Sequence, residues 1–387
     1  MLSVLFLPSL LYVAFQSSSM ALGLIISLMI LIVLVNKKKI PKTRNKFLYL
    51  FLVFFLLQYV YLILNDTIIT SEKQIMSLFV LGLMIISAAF FSIEVKKIPD
   101  EKMIFFLKWL SILIIIMGFL PQVITINFAH YSDYVKAVFP YSEPSHYILG
   151  TGSILFAAGF FVGSIQRIVL VLLLMILTIV LPSTLALFLF IIMLVTYYTA
   201  DIKKVVILGL LSIIIFLFVG NNIENLSYFS DRLNIASDNH NLTFLVYVQG
   251  IDDAYQSLIV TNGIGLGFQN MGSLPPSDIS NLIYSLTGYY KNRNDGGFLA
   301  AKIIAEFGVI GILLLFYYLR KVFQSYFFLR KRAGNNSLLE NTPAWLILSH
   351  SIIVVSFIEI FVRGFGYFSP GVFLLLLSLY MIRKGRY

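Results

Sequence analysis

At 387 residues the chain is long enough for two or three soluble domains, but it is 59% hydrophobic and 12% charged, with a mean hydropathy of +0.92. That balance excludes an ordinary soluble fold. The formal charge of +10 would suit nucleic acid if it formed one patch, yet Lys and Arg gather in short connectors, the pattern of membrane orientation. With no cysteine, disulfides, thiolate nucleophiles and Cys-ligated metals are excluded.

Apolar runs of about 15 to 20 residues recur throughout, long enough to cross the roughly 30 Å hydrocarbon layer as helices. They do not alternate with a period of two, which excludes a barrel. The expected fold is an all-α polytopic membrane protein with about 12 transmembrane helices and one long external loop. The first run lacks a basic leader and a small-residue cleavage site, so it reads as a span rather than a signal peptide.

In chain order, spans are predicted at about 2–15, 19–35, 47–64, 75–93, 103–120, 147–164, 168–181, 185–198 and 205–219. Three more follow at about 298–319, at 344–362 and in a last run ending near 382. The organisation is therefore 1–219 with nine spans and a shorter external loop at 121–146, then a polar loop at 220–297, then 298–387 with three spans. Of 28 Lys and Arg, 20 fall in connectors on one side and 7 on the other. The richer side is expected to be cytoplasmic and to hold both termini, leaving the long loop outside.

Candidate chemistry lies among charges near the external face, since an unpaired charge at span centre costs on the order of 3 kcal/mol. Glu359 and Arg363 are four residues apart, as are Lys302 and Glu306. Each spacing puts both side chains on one helix face. They are either packing ion pairs, or carboxylates orienting cations toward an anion. Arg232, Arg293 and Arg363 are the external arginines, and a guanidinium grips phosphate bidentately while keeping its charge. A loop arginine such as Arg232 is more often simply a solvated surface charge. Gly263, Gly265 and Gly267 lack the spacing of a dinucleotide fingerprint and the lysine of a P-loop. They form a tight turn or present amides to phosphate or sugar.

The external base candidates are Glu143, His146, His240, Asp252, Asp253, Asp295 and Glu306. Asp295 stands just before the chain returns to the membrane, where partial desolvation would raise its basicity. As an alternative, Asp295 caps the following helix, and Glu143 to His146 cap span six. His350, in mid span eleven, reads as a packing residue. No metal-ligand spacing and no nucleotide-binding motif occurs, so neither metal catalysis nor ATP-driven transport is expected.

Several features in order resemble the O-antigen polymerases of the Wzy type, within the wider group that includes the O-antigen ligases. They are the loop ending Glu143-Pro144-Ser145, a serine-bearing hairpin at 182–184, and Asp231-Arg232 followed by the glycine run. Glu306-Phe307-Gly308-Val309-Ile310-Gly311 and Arg363-Gly364-Phe365-Gly366-Tyr367-Phe368 complete the likeness. The resemblance implies a GT-C-type glycosyltransferase at the periplasmic face of a bacterial inner membrane. It would polymerise polyprenyl-diphosphate-linked oligosaccharides without metal or other cofactor. Arg232, Arg363, Arg293 and Lys302 would hold the diphosphate, with Glu306 and Glu359 orienting them. Asp295 or Glu143 would serve the chemistry, beside a substrate loop of Gly263, Gly265, Gly267 and His146. A chain-length regulator and membrane lipids are the implied partners, and nucleic acid is not. Ligases carry a His-Asn pair where this chain has Asp295 and Gly296, which favours a polymerase. A ligase acting on lipid A core and a non-enzymatic lipid-glycan flippase are the alternatives.

Overall fold

The structure, a computed structural model, describes residues 1–17, 19–34, 46–64, 71–124, 130–131, 137–198, 206–210 and 241–383. Among these the architecture is all-α, with a single isolated bridge between Val138 and Tyr141. Helices α1 (Leu2–Ala14) and α2 (Ala21–Leu34) form a hairpin, followed by α3 (Lys46–Leu64), α4 (Ser71–Lys96) and α5 (Asp100–Phe119). Next come α6 (Pro144–Phe161), α7 (Ser164–Val180) and α8 (Thr184–Tyr198). The second half holds α9 (Leu242–Val260), α10 (Asp278–Thr287), α11 (Leu299–Ala333), α12 (Asn336–Glu340), α13 (Ala344–Phe361) and α14 (Pro370–Arg383).

Four helical stretches, 73–96, 100–122, 299–333 and 344–361, are long and apolar enough to cross a membrane, and six shorter apolar helices accompany them. This is the make-up of a membrane-embedded protein. The span expected at 205–219 lies mostly outside the described residues. Apolar residues of α5, α6, α7, α8, α13 and α14 form the main core, with α13 buried on nearly every side.

Connectors mark two ends of the bundle. At the basic end Lys96 sits 4.6 Å from the centre of the Trp345 ring, and Asp100 accepts from Ala344 N at 2.7 Å. At the other end Gly364 N donates to Gly297 O at 3.3 Å, tying the turn after α13 to the approach of α11.

Two expectations change here. The polar run is not simply a loop, because 242–260 and 278–287 are helices. Asn241 caps α9 by accepting from Thr243 N, and Ser277 caps α10 by accepting from Ser280 N. The span expected at 298–319 instead continues to Ala333 and is broken within by Gly308, at φ 57° and ψ −136°. The glycine turn after α9 pairs with this break. Leu266 N donates to Ala305 O at 2.9 Å, Gly267 N to Glu306 O at 3.0 Å, and Val309 N to Gly263 O at 2.8 Å. A Cβ on Gly308 would stand 2.0 Å from Gly263 O, so only glycine permits this approach. The Gln58 amide, from α3, donates to Ile264 O in the turn at 3.0 Å and to Glu306 O at the break at 2.6 Å, so one side chain serves a carbonyl on each side of the contact.

Candidate functional site

A cavity of about 1160 Å³ opens at the end of the bundle away from the basic connectors. One wall is apolar, built by Met20, Leu22 and Ile25 of the α1–α2 hairpin and by Met76, Phe79 and Val80 of α4. The other is polar, with Glu143, His146, Asp295, Lys302 and Arg363. These five come from three distant stretches of sequence, so the fold itself assembles the group.

Arg363 stands just past the end of α13, and its Nη2 donates to Glu143 Oε1 at 2.8 Å. Pro144 opens α6 in the first-turn position that suits it, leaving Glu143 immediately before the helix. The Glu143 side chain makes no capping bond. It accepts from His146 Nε2 at 2.9 Å, while His146 Nδ1 pairs with Ser142 Oγ at 2.8 Å. The Phe365 ring meets the imidazole edge-on at 4.2 Å. Burial alone would raise the Glu143 carboxyl. The His146 hydrogen bond and the charges of His146 and Arg363 outweigh it and hold the group well below the usual carboxylate range.

The second cluster centres on Lys302, which is 2% exposed. Its Nζ donates to Asn294 O at 2.7 Å and Asp295 Oδ1 at 2.9 Å, and lies 3.8 Å from Glu306 Oε1. Glu306 is fully buried, accepts from Met271 N at 3.3 Å, and neighbours Tyr367. The helix cap before α11 is Phe298, so Asp295 is not a cap and keeps a half-exposed carboxylate at the cavity. A Cβ on Gly366 would stand 3.5 Å from Asp295 Oδ1, which puts the Arg363 turn against the Lys302 cluster.

Several expected residues do something else. Glu359 does not pair with Arg363, because α13 ends at Phe361 and the two no longer share a helical face. Glu359 is buried and accepts from Ser369 Oγ, with Gly371 packed against its carboxylate. Arg293 is absent from the cavity wall; it donates to Leu274 O and lies 5.6 Å from the Tyr290 ring centre. The amides at the glycine run are already engaged. Gly263 N donates to Leu258 O, Gly265 N to Thr261 Oγ1 and Gly267 N to Glu306 O, so the run presents none of the three to a ligand. Asp253 is buried within the α9 packing rather than at the cavity; burial lifts its carboxyl to about 6, against the pull of Arg293 and with a push from Asp252. His350 pairs with Ser325 Oγ at 2.9 Å and stacks on Phe328, as a packing residue does. Arg232 and His240 lie outside the described residues.

Ser142, Lys73 and Gln269 on the cavity wall, and Gln58 beside the break, were not among the candidates, and Tyr367 figured only within the Arg363 to Phe368 motif. Only Gln58 carried a signal, as a lone amide inside an apolar run. Comparisons with known protein families, with curated proteins and with solved structures return no match for the chain.

Two cations with private carboxylates share a hollow with a half-exposed carboxylate, beside an apolar wall suited to a hydrocarbon chain.

Proposed function

We propose that the chain is a glycosyltransferase of the O-antigen polymerase type, acting on polyprenyl-diphosphate-linked oligosaccharides. In this reading it has about twelve spans of GT-C character in a bacterial inner membrane, both termini are cytoplasmic, and the cavity opens to the periplasm. The observation that supports it is one hollow with an apolar wall from α2 and α4 and a polar wall carrying Arg363, Lys302 and Asp295. Such a hollow suits a substrate that is a lipid at one end and a charged diphosphate with sugars at the other.

Transfer breaks the bond between the donor sugar's anomeric carbon and its diphosphate oxygen. It forms a bond from that carbon to a hydroxyl oxygen of the next lipid-linked unit. Asp295, held in place by Lys302, takes the hydroxyl proton, and the lipid diphosphate leaves with its electron pair, its charge met by Arg363. Glu143 is a poor base because its carboxylate is held ionised. Its role is to orient Arg363 until a diphosphate competes for the guanidinium.

The test is purified protein in vesicles with a synthetic polyprenyl-diphosphate repeat unit, scored for products longer than one unit. Asp295→Asn and Arg363→Ala should each lower the rate about 10²-fold or more, in line with the loss of one charge-stabilising group. Full-length products from Arg363→Ala at the wild-type rate would end the proposal.

A further inference from the structure

The polar run that follows the ninth predicted span holds a helix with an oily face. On α9 the residues Phe244, Tyr247, Ile251, Tyr255, Ile259 and Val260 are each at least a third exposed. The opposite face, with Val246, Gly250, Ala254 and Ser257, is buried. Thr243 and Gln256 are the polar exceptions on the outer face. A stripe of this size is not left in water by a folded chain without reason.

Its depth can be measured along two neighbours. Helix α9 runs beside α11 in the same direction. A Cβ on Gly250 would meet Gly296 O at 2.1 Å and Ala301 Cβ at 3.3 Å, while Gly263 O accepts from Val309 N. From Leu299 to Phe307, the stretch of α11 before its break at Gly308, is about 12 Å at the helical rise of roughly 1.5 Å per residue. Along α3, Gln58 reaches Ile264 O from six residues below the end of the helix at Leu64, or about 9 Å. Measured from the start of α11 and from the end of α3, the glycine turn therefore lies about 9 to 12 Å along the bundle. The chain then comes back, since a Cβ on Gly272 would meet Asn294 Oδ1 at 2.5 Å, above the start of α11.

We infer that α9 and the glycine turn form a re-entrant hairpin immersed in the lipid leaflet on the cavity side, with acyl chains covering its outer face. Non-helical backbone survives at that depth only where protein satisfies it. Here the turn's bonds to Ala305, Glu306, Val309 and Gln58 do so. The stripe ends beside other exposed apolar residues: a Cβ on Gly263 would stand 3.2 Å from Val309 Cγ2, and Val309, Ile310 and Leu313 on α11, like Val60 and Ile63 on α3, are exposed. Asp252 and Asp253 fall near the level of Gly296 and Lys302, where the helix would leave the polar region.

The chain contains no cysteine, so single cysteines can be introduced into it directly. Ile259→Cys and Val260→Cys, labelled with a nitroxide in phospholipid vesicles, are compared with Leu313→Cys on α11 and Tyr284→Cys on α10. Both α9 sites should follow Leu313→Cys, with access to oxygen exceeding access to a water-soluble nickel chelate several-fold, and Tyr284→Cys should show the reverse. Nickel access at both α9 sites matching Tyr284→Cys would overturn the inference. So would shielding from both reagents, which would mean that protein and not lipid covers the face.

Discussion

The two ion clusters of the cavity differ in how firmly each holds its cation. Arg363 and Glu143 have side chains about one-third exposed, at 33% and 34%, and meet across 220 residues of sequence. Lys302 is 2% exposed and Glu306 not at all, and both belong to α11. An exposed pair is screened and contributes at most about 1 kcal/mol, so an incoming anion can replace Glu143 at small cost. A buried pair behaves differently: its formation gains little over an apolar pair, but removing one partner strands the other. The cavity thus has one cation free to change partners and one fixed as part of the scaffold.

The sharpest way to break this contrast is Lys302→Met. It leaves Glu306 buried without its cation and releases Asp295 from a 2.9 Å bond. A loss of about 3–5 kcal/mol is expected, seen as a collapse of the thermal midpoint in detergent. Adding Glu306→Gln should restore most of it. If Lys302→Met alone unfolds like the wild type, the buried cluster is not structural. Gly308→Ala comes next. Any Cβ there collides with Gly263 O, and the backbone angles suit glycine alone. A cost of about 3 kcal/mol is expected from strain alone, with the break and its glycine turn failing together. Limited proteolysis between α9 and α10 reads this directly, and an unchanged cleavage pattern would show that the turn does not depend on the break.

How much of this was legible beforehand follows from the range of the interactions. Apolar runs longer than about 15 residues declare themselves, because membrane thickness fixes their length. Lys302 with Glu306 was readable from spacing alone, since the helix continues through both. The same spacing failed for Glu359 and Arg363, where α13 stops at Phe361 ahead of Gly364. The pairing of Gly263 to Gly267 with the break at Gly308 is made by backbone atoms, which leave no side-chain signature; the glycines showed that something tight occurs, not what it meets. Arg363 with Glu143 joins residues too far apart in sequence for any periodic pattern to report. The cavity was therefore visible as a set of candidates, and its pairing was not.

The mildest substitution tests the loose cluster. Glu143→Gln keeps the shape of the side chain and a hydrogen bond from His146, and removes the charge that faces Arg363. With both groups a third exposed, the stability change should be about 1 kcal/mol or less. Its pH dependence has a definite sign. The Glu143 carboxyl sits well below its unfolded value near 4.3, so the folded state binds fewer protons than the unfolded one across that interval. Its contribution is therefore complete above about pH 4.5 and is lost as the pH falls toward the folded value. Wild type and Glu143→Gln should melt at nearly the same temperature at pH 7. Between about pH 4.5 and pH 2 the wild type should lose stability more steeply, so that the two curves converge. Parallel curves over that interval would mean that His146 and Arg363 together do not hold Glu143 ionised, and the distinction between a movable and a fixed cation would lose its first half.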